Sequence, residues 1–237
     1  MDVRSSAQAK RVQRSWLSGF SQAAPIWLGY ISVGFAYGVL AQKAGLSTLN
    51  AILMSVIVYA GSAQLIAVGL FAAGASAASI ILTTFVVNLR HMLMSAAVSA
   101  HLKGWTKPQL AAFAFELTDE TFVLHSSRFV GRDPLKTETF AVNLSSQCSW
   151  VLGTWLGFAV GQVITDVRVF ALDYALPAMF IALLVLQIKD RTQVVVAILS
   201  GLLAVGLVLL GVGQWTAIIT TIGGATIGMV LEQWIRR

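Results

Sequence analysis

The sequence predicts an all-α, polytopic helical membrane protein with about seven to eight transmembrane helices, and three observations predict it. Of 237 residues, 57% are hydrophobic and 11% charged, whereas soluble domains carry about 25% charged residues. The apolar residues form runs such as Ala51–Ala73, Thr139–Val163 and Gln193–Val212, which approach or exceed the ~20 residues needed to cross a ~30 Å hydrocarbon core. The apolar-polar alternation of an outer-membrane barrel strand, in segments of ~10 residues, is not seen.

Eight spans follow along the chain, at about 24–42, 50–72, 77–99, 109–129, 139–163, 172–189, 193–212 and 214–234. The span at 109–129 is the least apolar, because it carries Glu116, Asp119, Glu120, His125 and Arg128. Counting it puts both termini in the cytoplasm. The inner side then holds Arg4, Lys10, Arg11, Arg14, Arg128, Arg132, Lys136, Lys189, Arg191, Arg236 and Arg237, and the outer side only Lys43, Lys103, Lys107 and Arg168. That asymmetry obeys the positive-inside rule, and a seven-span version breaks it. Residues 1–15 read as a cytoplasmic N-terminal leader, with no cleavable signal pattern. Residues 16–237 read as a single transmembrane helical domain, because the connections are short. The net charge of +6 is accounted for by topology control and leaves no role for nucleic acid. The single Cys148 excludes an intrachain disulfide.

Small residues recur every four positions at Gly34 and Gly38, at Gly153, Gly157 and Gly161, and at Gly224 and Gly228. Such stripes let neighbouring backbones approach closely. Pro25 falls near the start of the first span, where its missing N–H costs little, and Pro177 falls inside the sixth, which it should kink. A faint echo links Ser62-Ala63-Gln64 to Ser145-Ser146-Gln147.

Function must reside among the helices. A charge at mid-bilayer costs at least ~2.5 kcal/mol on insertion scales, so such residues have partners and tasks. In the third span Asn88, Arg90 and His91 interrupt an apolar run, and in the second Tyr59, Gly61, Ser62 and Gln64 offer polar groups beside a small residue. In the fourth, Glu116, Asp119 and Glu120 have spacings that place them on one helical face. Arg90 is expected to pair with one of these acids, since an unpaired buried charge is far costlier than a pair. The remaining acids make Asp119 or Glu120 the candidate proton carrier, with His91 as a relay. The plain alternatives are a static Arg90–Asp119 lock, a packing histidine, and ordinary interhelical hydrogen bonds from Gln64 and Asn143. His101 and His125, near span ends, are expected to be solvated. No G-x-S-x-G, phosphate loop or H-E-x-x-H is present, so the chain is not read as an enzyme, and no cofactor or metal is expected.

Three motifs, Ala60-Gly61-Ser62-Ala63-Gln64, Asn88-Leu89-Arg90-His91 and Leu117-Thr118-Asp119-Glu120, occur in the order and chain length of the AzlC family, which the sequence resembles over essentially its whole length. The resemblance implies the large subunit of a bacterial branched-chain amino acid exporter in the inner membrane. It further implies a small AzlD-like membrane subunit as partner, substrates among L-valine, leucine and isoleucine, and proton antiport. The family's motif residues fall on Ser62, Gln64, Asn88, Arg90, His91, Asp119 and Glu120. A channel or exporter for another small polar solute, and a non-transporting scaffold subunit, are the competing classes.

Overall fold

The computed structural model describes residues 3–131, 133–164, 166–171, 174, 177–178, 181, 184–185, 188, 190–212 and 215–235, and every regular element among them is helical. The chain divides into two compact units, Met1–Phe180 and Ile181–Arg237. Three stretches within the described helices are long and apolar enough to cross a membrane, Gln13–Lys43, Ala77–Ser99 and Arg191–Leu209.

In the first unit, α1 runs from Val3 to Lys43. It begins well ahead of the expected start of the first span, so Pro25 lies inside the helix and not near its start. Polar residues do not end the helix here because they have partners. Ser18 donates to Glu138 at 3.1 Å, and Gln22 donates to the same carboxylate. The helix stops at Gly45, whose φ of 83° suits glycine, and Leu46 N–H reaches back to the Ala41 carbonyl at 3.1 Å in a Schellman-type close.

Helix α7, Lys136–Gly161, packs along α1. The two glycine stripes meet there. A Cβ on Gly34 would lie 2.9 Å from the Trp150 carbonyl oxygen, and one on Gly153 would lie 2.7 Å from that of Ile31. Gly38 abuts the Thr154 carbonyl and Gly157 the Phe35 carbonyl still more closely. Backbone rests on backbone, which only small residues permit.

The second and fourth expected spans are not continuous helices. The second is α2, Thr48–Leu53, then a π-helical turn over Met54–Val58, a break at Tyr59 and Ala60, and α3, Gly61–Ala72. The fourth is α5, Lys107–Phe115, and α6, Asp119–Arg128. Between α5 and α6 the chain turns through Glu116, Leu117 and an extended Thr118 with φ −121° and ψ 175°. At 9 and 10 residues, neither α5 nor α6 spans a bilayer alone. The expectation that Glu116, Asp119 and Glu120 share one helical face fails for this reason. Glu116 closes α5, whereas the other two open α6. Helix α4, Ala77–Ser99, matches the third span.

A second polar cluster joins α1, α6 and α7. Arg128 pairs with Glu138 at 2.6 Å. His125, expected to be solvated, is instead 1% exposed, with Nε2 at 2.7 Å from Asn143 Oδ1 and its ring stacked on Phe129. Its place on the α7-facing side of a short helix buries it, whatever its distance from a span end. His101 is exposed, as expected.

In the second unit, α8, Arg191–Leu209, opens on Asp190, whose carboxylate accepts from Gln193 N–H at 2.8 Å. Helix α9, Trp215–Ile235, lays its small residues on α8, with Gly224 against Ser200 and Gly228 against Val196. None of the α8 side chains is buried, which suits a lipid-facing helix. The sixth expected span, 172–189, lies mostly outside the described residues, Pro177 being one of the few in it that is described, and Arg132, Lys189, Arg236 and Arg237 also lie outside them.

The seam between α1 and α7 generates a stability prediction. Gly38→Ala and Gly157→Ala should each lower the melting temperature of the detergent-purified protein, at an overpacking cost of about 1–3 kcal/mol. Gly29→Ala, with nothing within 4 Å of the added carbon, should leave it unchanged or raise it.

Candidate functional site

Both helix breaks open onto one cavity in the first unit. It is lined by Tyr30, Tyr59, Ala60, Gly61, Ser62, Arg90, His91, Thr118, Asp119, Glu120 and Trp150. Its volume is about 20 Å³, roughly the room that one water takes, so admitting a larger solute requires the surrounding helix ends to part.

The break at Tyr59 is shaped by its neighbours. Tyr59 adopts the left-handed conformation with φ 44° and ψ 45°, a costly state for a non-glycine residue that concentrates at functional sites, as π-helical turns do. Gly61 starts α3 directly under the Trp150 ring, where a Cβ would lie 2.7 Å from the indole. Gln147 donates to the Val56 carbonyl at 3.0 Å, satisfying a backbone group that the π-turn frees. Gln64 sits behind the cavity with no exposure. It donates to Ser55 at 3.0 Å and accepts from the Trp150 indole N–H at 3.1 Å, while Ser55 bonds Thr154 at 2.8 Å. The π-turn, α3 and α7 are thereby fastened together.

The break before Asp119 is built by a capping box. Thr118 accepts from Thr121 N–H at 3.4 Å, and Thr121 Oγ1 accepts from Thr118 N–H at 2.8 Å. Asp119 and Glu120 occupy the first turn of α6, where carboxylates favour the positive end of the helix dipole.

The charges meet across the cavity. Arg90 pairs with Asp119 at 2.9 Å and also donates to Ser62 in the first turn of α3. The pair expected between Arg90 and a fourth-span acid therefore forms, and Arg90 bridges the starts of both half-helices. Tyr30 donates to Glu120 at 2.7 Å and accepts from Thr118. Its ring lies edge-on to both Trp150, at 5.6 Å, and Tyr59, at 6.3 Å. His91 Nδ1 lies 3.3 Å from the Asn88 carbonyl.

Of the residues singled out in the sequence, the structure brings Tyr59, Ser62, Arg90, His91, Asp119 and Glu120 to this cavity, whereas Gln64 is not in its lining and bonds the Trp150 indole that is. Asn88 and Glu116 are not in its lining, although Asn88 Oδ1 and Glu116 Oε2 are buried without hydrogen-bond partners among the described residues. Tyr30, Thr118 and Trp150 were not foreseen as site residues. Tyr30 and Trp150 face the cavity across the α1–α7 seam, and the nearby glycine stripe was the one sign of that closeness.

If Arg90 and Asp119 stabilise one another, Arg90→Met and Asp119→Leu should each destabilise the protein by about 3 kcal/mol, since each removes this counter-charge from a partly buried charge. The double variant should lose less than the two combined. Melting of the four purified proteins in detergent checks this, and additive losses would show the pair to be uncoupled.

Residues 25–164 match the family described as AzlC protein. The chain is 31% identical over 197 residues to the inner membrane protein YgaZ of Escherichia coli, covering 80% of each. It is 33% identical to a membrane protein of Archaeoglobus fulgidus, over 91% of this chain and 93% of the relative. It is 25% identical to the branched-chain amino acid transport protein AzlC of Bacillus subtilis, over 86% of this chain and 81% of that one. No solved structure matches. With the family match spanning more than half of the chain and membrane proteins above 30% identity aligned along most of it, this chain is a multi-pass membrane protein of the AzlC family.

Proposed function

We propose that this chain is a secondary transporter that exports branched-chain amino acids, L-valine, leucine and isoleucine, by proton antiport, acting as the large subunit with a small AzlD-like membrane partner. Family membership and a relative named as a branched-chain amino acid transport protein support a membrane transporter role. The observation that carries the reading is the convergence of two interrupted helices on one cavity that holds a guanidinium and two carboxylates. Interrupted helices place backbone polar groups and dipole ends where a polar solute can use them, a recurrent device of transport proteins. Acidic groups inside the membrane serve as proton relays.

In this reading Tyr59, Ser62, Arg90, His91, Asp119 and Glu120 form the substrate and proton pathway. Gln64 supports the α3 break from behind, and Asn88 and Glu116 stand at its margins. Asp119 is the proton carrier, because a proton on its carboxyl releases Arg90 and loosens the link between α4 and the start of α6. The protein sits in the bacterial inner membrane with both termini in the cytoplasm.

The test is export of labelled valine, leucine and isoleucine from dipeptide-fed cells that express the chain with its small partner. Wild type should export and should respond to the proton gradient. Asp119→Asn, at equal membrane abundance, should lose that response. Gradient-dependent export by the variant would remove Asp119 from the mechanism, and absence of export by the wild-type pair would overturn the substrate assignment.

A further inference from the structure

We infer that the cavity recognises its substrate by a free carboxylate, held at the N-terminus of α3 with the Tyr59 hydroxyl as a further donor, while Glu120 faces the ammonium group. This assignment of substrate orientation rests on the transport reading above.

Arg90 is the cation of the cavity, but Asp119 already balances its charge at 2.9 Å, and Ser62 takes another of its donors. A carboxylate entering beside that pair needs a different source of positive potential. Helix α3 offers one. Its first intrahelical bond is made by Gln64 N–H to the Ala60 carbonyl at 2.9 Å, so the N–H groups of Gly61, Ser62 and Ala63 precede the ladder. No side chain caps them, because Ala60 stands at the N-cap position. Uncapped N–H groups with the dipole behind them form an anion site. The contrast with α6 is direct, since α6 opens on the same cavity but carries Thr118 as its cap and two carboxylates in its first turn.

Tyr59 lines the cavity, is only 2% exposed, and its buried hydroxyl has no hydrogen-bond partner among the described residues. A buried hydroxyl without a partner is costly, and one lining the same cavity as an uncapped helix start is explained by a ligand that accepts from both. Neutral acceptors gain little from the dipole, whereas a carboxylate gains from the dipole and from each donor.

The opposite end of a zwitterion follows. Glu120 holds a hydrogen bond from Tyr30 at 2.7 Å and, among the described residues, makes no ion pair. It is the cavity's remaining carboxyl group and the natural neighbour of an ammonium group. The side chain of the substrate would then meet the rings of Tyr30, Tyr59 and Trp150.

Ligand selectivity tests this. The purified full-length protein with its partner, in lipid nanodiscs, is titrated with L-valine, L-valinamide, which lacks the carboxylate, and isovalerate, which lacks the ammonium. Binding is read by the change in tryptophan fluorescence and by displacement of labelled valine. Valine should bind at least about tenfold more tightly than valinamide, and Tyr59→Phe should weaken valine about tenfold while leaving valinamide unchanged. Equal binding of valine and valinamide by the wild type, a comparison that needs no variant to fold, would overturn the carboxylate site, as would equal weakening of both by Tyr59→Phe. If valine fails to bind but isovalerate binds and Tyr59→Phe abolishes it, the carboxylate site stands and the amino-acid reading falls. Failure of every carboxylate to bind overturns the site.

Discussion

A guanidinium set among helices of bilayer length has to be met by a carboxylate, and that constraint organises the site. Arg90 sits in the run of α4, where nothing in the helix itself answers its charge. The answer is Asp119, which is available because the chain breaks before it and starts a new helix there. Through Ser62, Arg90 also fixes the start of α3. One partly buried cation therefore holds together the two points at which regular helix stops. Irregular backbone at membrane depth is tolerated only where it is enclosed by protein or lines a cavity. Here the enclosure is visible residue by residue, as the Gln147 amide meets the Val56 carbonyl and the Thr118–Thr121 box closes the start of α6.

The seam between α1 and α7 supplies the rigid side of this arrangement. Glycines on both helices bring the backbones together, and the side chains flanking the seam are carried to the cavity from opposite sides. Tyr30 comes from α1 and reaches Glu120, while Trp150 comes from α7 and roofs Gly61. A packed seam beside two short half-helices divides labour in a physically reasonable way. The long helices hold geometry, and the short ones bring their polar ends to the cavity.

Much of the polar site was legible because charge in an apolar run is rare and expensive. Arg90 with its acid partner, Ser62, Tyr59 and Gln64 stand out on that ground alone, and the glycine periodicity announced the seam. The breaks were not legible. No proline marks either one, and Ala60-Gly61-Ser62-Ala63-Gln64 reads as ordinary small-residue helix until Trp150 and Gln147 are placed against it. Continuous-helix spacing then misassigned Glu116 to the face of Asp119 and Glu120. His125 was misjudged for a related reason, since burial on a short helix depends on what packs beside it and not on its distance from a span end. The Thr118–Thr121 pair carried the capping signal, though without the glutamate or glutamine that usually makes it recognisable.

The claim on which all of this rests is that Arg90 and Asp119 touch in the membrane. Solid-state NMR on the uniformly labelled protein in lipid bilayers measures it directly, through dipolar coupling between guanidinium nitrogen and carboxyl carbon, assigned by its loss in Asp119→Asn. A coupling that reports direct contact, in keeping with the 2.9 Å nitrogen to oxygen distance, is the result this account predicts. Its absence in the wild-type protein would mean that the two helix starts are not joined by this charge pair, and the architecture of the site would have to be drawn again.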